Sequence, residues 1–507
     1  MPTPTPRVVP DLIAALRADL AAAPYTVDDV NDLLGPLAAA ALDREQRLPA
    51  QRVTAALDSP LATLIRLFGL GDPVDQRDVA RALPTLGVSG ARELGLVRDE
   101  GDGLVALVDL RPYGDEEHQW WVASDLSELA TGRPLSPDHV LGIGGASTTL
   151  AAWTPRRTFD AVLDVGTGCG VQALHLGEHA TSVTVTDVSA RALDFARFNA
   201  ALDSRTWTVV EGSMLEPVAG QQFSLVVSNP PFVITPRSGE VPLFEYRDGG
   251  RAGDDVVSDL VRGVGSILAP GGVAQFLGNW EIPEGADWRT RVAAWIAGTG
   301  LDAFVVQREV QDPAEYAEVW ARDGGHHSGT AEFAGMYAAW LDDFASRGVG
   351  SVGFGVITLQ RPLRDREPFV DLVDARGPVA LPMGASVEAG LAARTWLAEH
   401  TDADVLAERW VVADDVTEER HGRPGATDPA VIRLHQGGGL RRTIPLDTVT
   451  AAYASVADGD LTAAQAATAI AALLEADEAA VVSSIVTFIR DSAKDGLLVL
   501  PQPDPSA

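Results

Sequence analysis

The sequence predicts an α/β protein with a doubly wound sheet at its centre, a helical region before it and an α+β region after it. Three observations carry this reading. Strand-like and helix-like stretches alternate from about residue 134 to residue 362. A glycine-rich turn, Leu163-Asp164-Val165-Gly166-Thr167-Gly168-Cys169-Gly170, follows an apolar run. The chain has 507 residues, too many for one core, so about three domains are expected: 1–133, 134–365 and 366–507.

The first region reads as helical over 11–17 and 27–42, where apolar residues recur at helical spacing. Three short helices, 59–68, 75–82 and 89–94, precede strand-like runs at 104–112 and 119–123. Helices followed by a hairpin make a winged-helix-like pattern; simple helical packing fits the same residues. The third helix carries Arg92 beside Glu93 and does not read as a groove-binding helix. In the central block, strands are expected at 161–165, 182–186, 206–211, 223–228, 273–277, 303–308 and 352–359. Helices are expected at 171–178, 190–201, 256–268 and 288–296, and an insertion adds helical patches at 314–322 and 331–346. The last region has helical runs at 448–454, 462–474 and 478–491 and a closing strand near 496–501. It suits either an accessory domain for substrate selection, with a winged-helix-like end, or a structural cap.

Composition narrows the function classes. Hydrophobic residues make up 46% and charged residues 22%, as in ordinary globular proteins. The net charge of −32 weighs against a general polyanion binder, leaving only a local arginine patch to meet nucleic acid. Cys169 is the sole cysteine, so no internal disulfide is possible, and no base accompanies it as for a nucleophile. The start lacks a signal pattern and no apolar run approaches a membrane span, so a cytoplasmic protein is expected. His326-His327 beside Asp323 lacks the spacing of a metal site and reads as a solvated loop.

Glycines at 166, 168 and 170 let a strand turn sharply into a helix while its backbone approaches a ligand. The helix N-terminus then offers unpaired N–H groups. A dinucleotide turn would read Gly-x-Gly-x-x-Gly, but the sixth position here is Val171, which argues against nicotinamide. Asp187 ends the second strand about 20 residues later, where a carboxylate can accept both hydroxyls of a ribose; capping the next helix is its other use. About 60 residues past the turn, Asn229-Pro230-Pro231-Phe232 ends another apolar strand.

Together the two runs resemble class I S-adenosylmethionine-dependent methyltransferases of the branch that methylates planar nitrogens. That resemblance covers about 134–362 and implies a Rossmann-like seven-stranded methyltransferase sheet and S-adenosyl-L-methionine as cofactor. It implies that Asp164, Gly166, Gly168 and Gly170 meet the methionine end of the cofactor and Asp187 its ribose. Ser213 and Met214 would face the adenine, although the family often has Asp where Ser213 stands. Ser147 or Thr148, in a stretch placed like the family's lid, could meet the cofactor carboxylate or merely belong to a helix-capping loop. Asn229 and Pro230 would accept hydrogen bonds from the N–H groups of the acceptor nitrogen, with Asn229 also beside the cofactor, and Phe232 would stack on its plane.

Tyr246-Arg247-Asp248-Gly249-Gly250 is similar to the stretch after this motif in release factor glutamine methyltransferases. The motif itself also occurs in rRNA guanine-N2 and tRNA adenine-N6 enzymes. Arg237, Arg247 and Arg251 would either bind substrate phosphate or pair with local Asp residues. The expectation is an N-methyltransferase acting on an exocyclic amine in RNA (rRNA or tRNA). A protein glutamine N5-methyltransferase, or a non-catalytic protein that keeps the cofactor fold as a scaffold, are the alternatives.

Overall fold

The computed structural model of the protein describes residues 4–133, 135–237, 244–323, 328–425 and 428–501. The chain forms two compact units. The first comprises Met1–Ala151, Thr158–Thr299 and Glu309–Ile357; the second comprises Ala152–Arg157, Gly300–Arg308 and Thr358–Ala507.

Among the described residues the central sheet of the first unit has six strands: β1 (Phe159–Val165), β2 (Ala180–Asp187), β3 (Thr208–Glu211), β4 (Phe223–Ser228), β5 (Leu268–Pro283) and β6 (Val349–Gln360). They lie in the order β6-β5-β4-β1-β2-β3. The pairs β5–β4, β4–β1, β1–β2 and β2–β3 are parallel. A parallel sheet is covered on both faces and needs near-continuous apolar strands. Val162, Leu163 and Val165 on β1 and Leu225, Val226 and Val227 on β4 meet that need and are buried.

The strand order reverses between β1 and β4, and a crevice opens at such a switch beyond the carboxyl ends of the strands. The register pairs Val165 with Ser228 and Asp187 with Glu211. The glycine turn, Asp187, Ser213 and Asn229 therefore leave the sheet at one edge.

The expected strand 104–112 is two strands. Gly103–Ala106 pairs antiparallel with Val74–Asp75 and Val97–Glu100, giving a three-stranded sheet with Gly103–Ala106 in the middle. The second half, Asp109–Gly114, turns away to pair with Gln119–Ser124. Val97–Glu100 is masked in the sequence because three of its four residues are charged and exposed. Helices Gln76–Ala82 and Gly87–Glu93 sit in sequence between the first two strands of that small sheet, a winged-helix-like order. The insertion is two helices, Pro313–Asp323 and Ala331–Arg347, as expected within a residue at each end.

Of the seven strands expected for the central sheet, six are β1 to β6, and the seventh is Asp302–Gln311, where the chain passes between the units. In the second unit this strand pairs in parallel with Val370–Asp374, an eighth strand that the sequence reading did not anticipate. Among the described residues the rest of that unit holds five helices, a three-stranded antiparallel sheet, Val416–His421, Val431–Gln436 and Thr443–Leu446, and the antiparallel pair Val411–Val412 and Leu498–Val499. Val405, Tyr453, Ile485 and Ile489 are in its core. Among the described residues no helix is long and apolar enough to cross a membrane.

Candidate functional site

At the carboxyl edge of β1, β2 and β4 lies a cavity of about 550 Å³, within the size range of sites for small ligands. Its wall includes Gly166, Gly168, Asp187, Ser213, Met214, Asn229 and Pro230. The structure thus brings together most of the residues singled out above. Thr148, Arg237 and Arg247 do not line it, nor do three of the residues expected to meet cofactor or substrate. Asp164 lies beneath the turn, Gly170 faces inward, and Phe232 packs against the cluster of Val233, Ile234, Tyr316 and Trp340.

The glycine turn is held from below and from the side. Asp164 is buried at the end of β1 and accepts the Thr167 hydroxyl at 2.6 Å. Its second oxygen, Oδ1, is buried with no hydrogen-bond partner among the described residues. Burial pushes this carboxyl up to about 7, partly offset by the Thr167 hydroxyl. Gly168 has φ +56, and open space lies where a Cβ would stand. Its N–H donates to Asp187 Oδ2 at 2.9 Å.

Gly170 has φ +94 and serves packing. A Cβ there would stand 2.8 Å from the Trp207 ring. Cys169 is buried, and burial pushes its thiol up to about 12, which disfavours the thiolate.

Asp187 accepts the Ser189 N–H at 2.9 Å through its other oxygen. Ser189 precedes helix Ala190–Leu202 and makes no side-chain cap of its own. Burial raises the Asp187 carboxyl, and the Ser189 and Gly168 N–H groups work against that rise. Met214 adopts φ +51, an uncommon backbone for a side chain of its size, and lines the cavity with Ser213.

Asn199, fully buried, ties the turn to the hairpin Asp109–Ser124. Its amide nitrogen donates to Cys169 O at 2.7 Å and Ala123 O at 2.9 Å, and its oxygen accepts the Ala123 N–H at 2.8 Å.

The upstream segment covers one side. Asp125 accepts the Val140 N–H at 2.8 Å and Arg191 Nε at 3.1 Å, which fixes His139, Val140 and Leu141 in the wall. Burial lowers the affinity of His139 for a proton. Ser147 lines the cavity and its carbonyl accepts Gln172 Nε2 at 2.7 Å. Thr148 instead bonds back to Gly144 O and Gly145 O at the start of its own helix, and it is not in the wall.

On the far side, Ser228 donates to Val165 O at 2.7 Å and locks β4 to β1 just before the motif. Asn229 follows, and its Oδ1 is buried with no hydrogen-bond partner among the described residues. A buried carbonyl oxygen left unpaired costs roughly 1–3 kcal/mol unless a ligand satisfies it. Glu245, Tyr246, Asp248 and Arg251 complete the wall. Burial first, then the Asp323 carboxylate, raises the Tyr246 phenol above its usual range.

All three arginines of the loop are ion-paired, Arg237 and Arg251 with local Asp residues as foreseen and Arg247 with a distant one. Arg237 pairs with Asp248 at 2.9 Å, Arg247 with Asp323 at 2.6 Å, and Arg251 with Asp259. The wall's charge is acidic: Asp187, Glu216, Glu245, Asp248 and Asp259 stand against Arg251, which Asp259 already holds. Glu216 and Glu245 were not foreseen, because each stands alone in sequence beside more conspicuous motifs. Among the described residues no group of three or more His, Cys, Asp or Glu is placed to hold a metal ion. His326 and His327 lie outside the described residues.

Comparison with known families agrees with the two motifs. Residues 142–283 match the methyltransferase small domain, and residues 22–107 match a domain of unknown function, DUF7059. The chain is 42% identical over 119 residues to the release factor glutamine methyltransferase of Deinococcus radiodurans, which spans 22% of this chain and 42% of that one. It is 37% identical over 158 residues to the release factor glutamine methyltransferase of Geobacter sulfurreducens, 29% of this chain and 53% of that one. It is 30% identical over 141 residues to ribosomal RNA small subunit methyltransferase C of an Enterobacter species, 27% of this chain and 36% of that one. The chain therefore spans about half or less of the length of these relatives. The resemblance to methyltransferases that share the two motifs is borne out over residues 142–283.

Proposed function

We propose that the protein is an S-adenosylmethionine-dependent N-methyltransferase, and that its acceptor is the planar NH₂ group of a polypeptide side-chain amide. The observation that carries the first part is the unpaired, buried Oδ1 of Asn229 in the cavity wall, at the same sheet edge as the glycine turn. An orphaned acceptor there is what an N–H of the substrate would satisfy.

The residues fit the cofactor. The cavity is large enough, Gly168 leaves open space over the turn, and the Asp187 carboxylate, Ser213 and Met214 line the same wall. When bound, S-adenosylmethionine supplies an electrophilic methyl group on a sulfonium sulfur. In this reading Asp187 accepts ribose hydroxyls, Ser213 and Met214 face the adenine, and Asp164 braces the turn from below through the Thr167 hydroxyl, near the methionine end. Asn229 and the Pro230 carbonyl accept from the two N–H groups of the acceptor, which favours a lone pair free of the π system. The two prolines, lacking N–H groups, stiffen that wall. Alignment of nucleophile and methyl is the main contribution, so no strong base is needed before transfer. The product nitrogen then sheds a proton to water.

The charge of the wall favours the amide over RNA. A phosphodiester would approach carboxylates, with the loop arginines already paired. The similarity to an rRNA methyltransferase keeps a base amine as the second reading. The test is transfer of labelled methyl from S-adenosylmethionine into total protein, and separately total RNA, from cells lacking this protein. Label in protein that disappears with Asn229→Ala is the expected result, with a loss of about 10²–10³ in rate. Label in RNA alone would move the base amine to first place. Label in neither would sink the enzyme reading.

A further inference from the structure

We propose that Tyr246, held by Asp323, is the flat face against which the planar acceptor group rests, in place of Phe232. This rests on the N-methyl transfer reading above.

Phe232 is committed elsewhere. It packs partly buried against the cluster of Val233, Ile234, Tyr316 and Trp340, and its backbone bridges to Asp248. It is not among the residues of the cavity wall, whereas Tyr246 is, together with Asn229 and the two prolines.

Tyr246 is also fixed in orientation. Its hydroxyl donates to Asp323 Oδ2 at 2.9 Å. Its ring meets Phe244 at 5.7 Å between centroids, and the ring of His139, also in the wall, at 6.1 Å and nearly perpendicular. The same Asp323 oxygen accepts from buried Arg247 at 2.6 Å. Arg247 in turn donates to Trp320 O at 3.1 Å and lies over the Phe244 ring at 4.6 Å. The anchor thus comes from the last residue of the inserted helix Pro313–Asp323. A ring tethered at its hydroxyl and flanked by other rings offers a preorganised plane in the same cavity wall as the Asn229 acceptor. Tyr246 is the surface that touches substrate, and Asp323 is a positioning residue.

The test uses the full chain, labelled S-adenosylmethionine and a titration of whichever extract, total protein or total RNA, the unaltered protein labels. Tyr246→Leu is expected to raise the extract concentration for half-maximal rate by about tenfold. Binding of S-adenosylhomocysteine by calorimetry and the melting temperature should stay close to the unaltered values. Asp323→Ala should raise half-saturation by a smaller factor while the maximal rate is kept, and Asp323→Asn, which keeps an acceptor oxygen, should restore most of it. Phe232→Leu should act first on the melting temperature.

A folded Tyr246→Leu protein with half-saturation within about twofold of the unaltered one would overturn the assignment. So would a Phe232→Leu protein of unchanged melting temperature that shifts half-saturation more than Tyr246→Leu does. If the unaltered protein labels neither extract, the transferase reading falls and this one with it, an outcome distinct from the other two.

Discussion

The two ends of the cavity are built differently. At the donor end, hydrogen bonds join residues close in sequence: Asp164 to Thr167, Asp187 to Ser189, and Gly168 to Asp187 across one helix. At the acceptor end they join distant ones. The Ile234 N–H donates to Tyr316 Oη at 2.8 Å, and Trp340 Nε1 donates to Ile234 O at 2.8 Å, over 82 and 106 residues. Tyr246 and Arg247 reach Asp323 over 77 and 76 residues. The turn of the donor end is closed by local bonds, and its longer tie, through Asn199, runs to Ala123 in the hairpin Asp109–Ser124 rather than to the inserted helices. The acceptor end needs the inserted helices to be in place, so it can be re-shaped without disturbing the donor end.

Changes at each end should therefore separate. The largest effect is expected for Asp187→Ala, which removes the acceptor of the Gly168 N–H and the proposed ribose contact. S-adenosylhomocysteine affinity should fall by about 100-fold, near 2.7 kcal/mol, by calorimetry. Unchanged affinity would dissolve the donor end as assigned. Gly170→Ala should come next. It forces a side chain into φ +94 and against Trp207, and should lower unfolding stability by about 2–3 kcal/mol in denaturant titration.

Tyr316→Phe tests independence directly. It removes the hydroxyl that accepts from Ile234 N and Asn279 Nδ2. Methyl transfer should fall several-fold and stability by roughly 1–2 kcal/mol, with S-adenosylhomocysteine affinity within about twofold. A parallel loss of affinity would show that the two ends move as one.

The smallest effect concerns pH. Asp164 rises to about 7 in the folded chain, against roughly 3.9 when unfolded. The folded state holds the proton longer, so this contribution to stability is full below about pH 4 and is lost as pH rises through about 7. Asp164→Asn should flatten that part of the stability profile, by ~1 kcal/mol or more, in melts between pH 5 and 7.5.

The same contrast explains what the sequence made legible. Gly166, Gly168, Asp187 and Asn229 announce themselves because steric demand and strand ends leave local marks. The parallel strands were legible from their apolar runs, such as 161–165 and 223–228. Tyr246 was visible only as part of a motif, since nothing near it in sequence reveals that Asp323 will meet it. Phe232 was assigned to stacking from its place after two prolines. The inserted helices supply an apolar cluster against which it packs, a contact that no local pattern records. The strands Val97–Glu100 and Val370–Asp374 escaped for a related reason: short, charged or half-exposed strands carry little periodicity.

Asn199 has a practical consequence for anyone trimming this chain. Its amide is shared between Cys169 in the glycine turn and Ala123 in the hairpin Asp109–Ser124. The family match begins only at residue 142. A fragment cut there would strand both hydrogen-bonding groups that face Ala123, beneath the turn that shapes the donor end. The smallest piece able to keep that floor intact begins upstream of Asp109, well outside the boundary that homology draws.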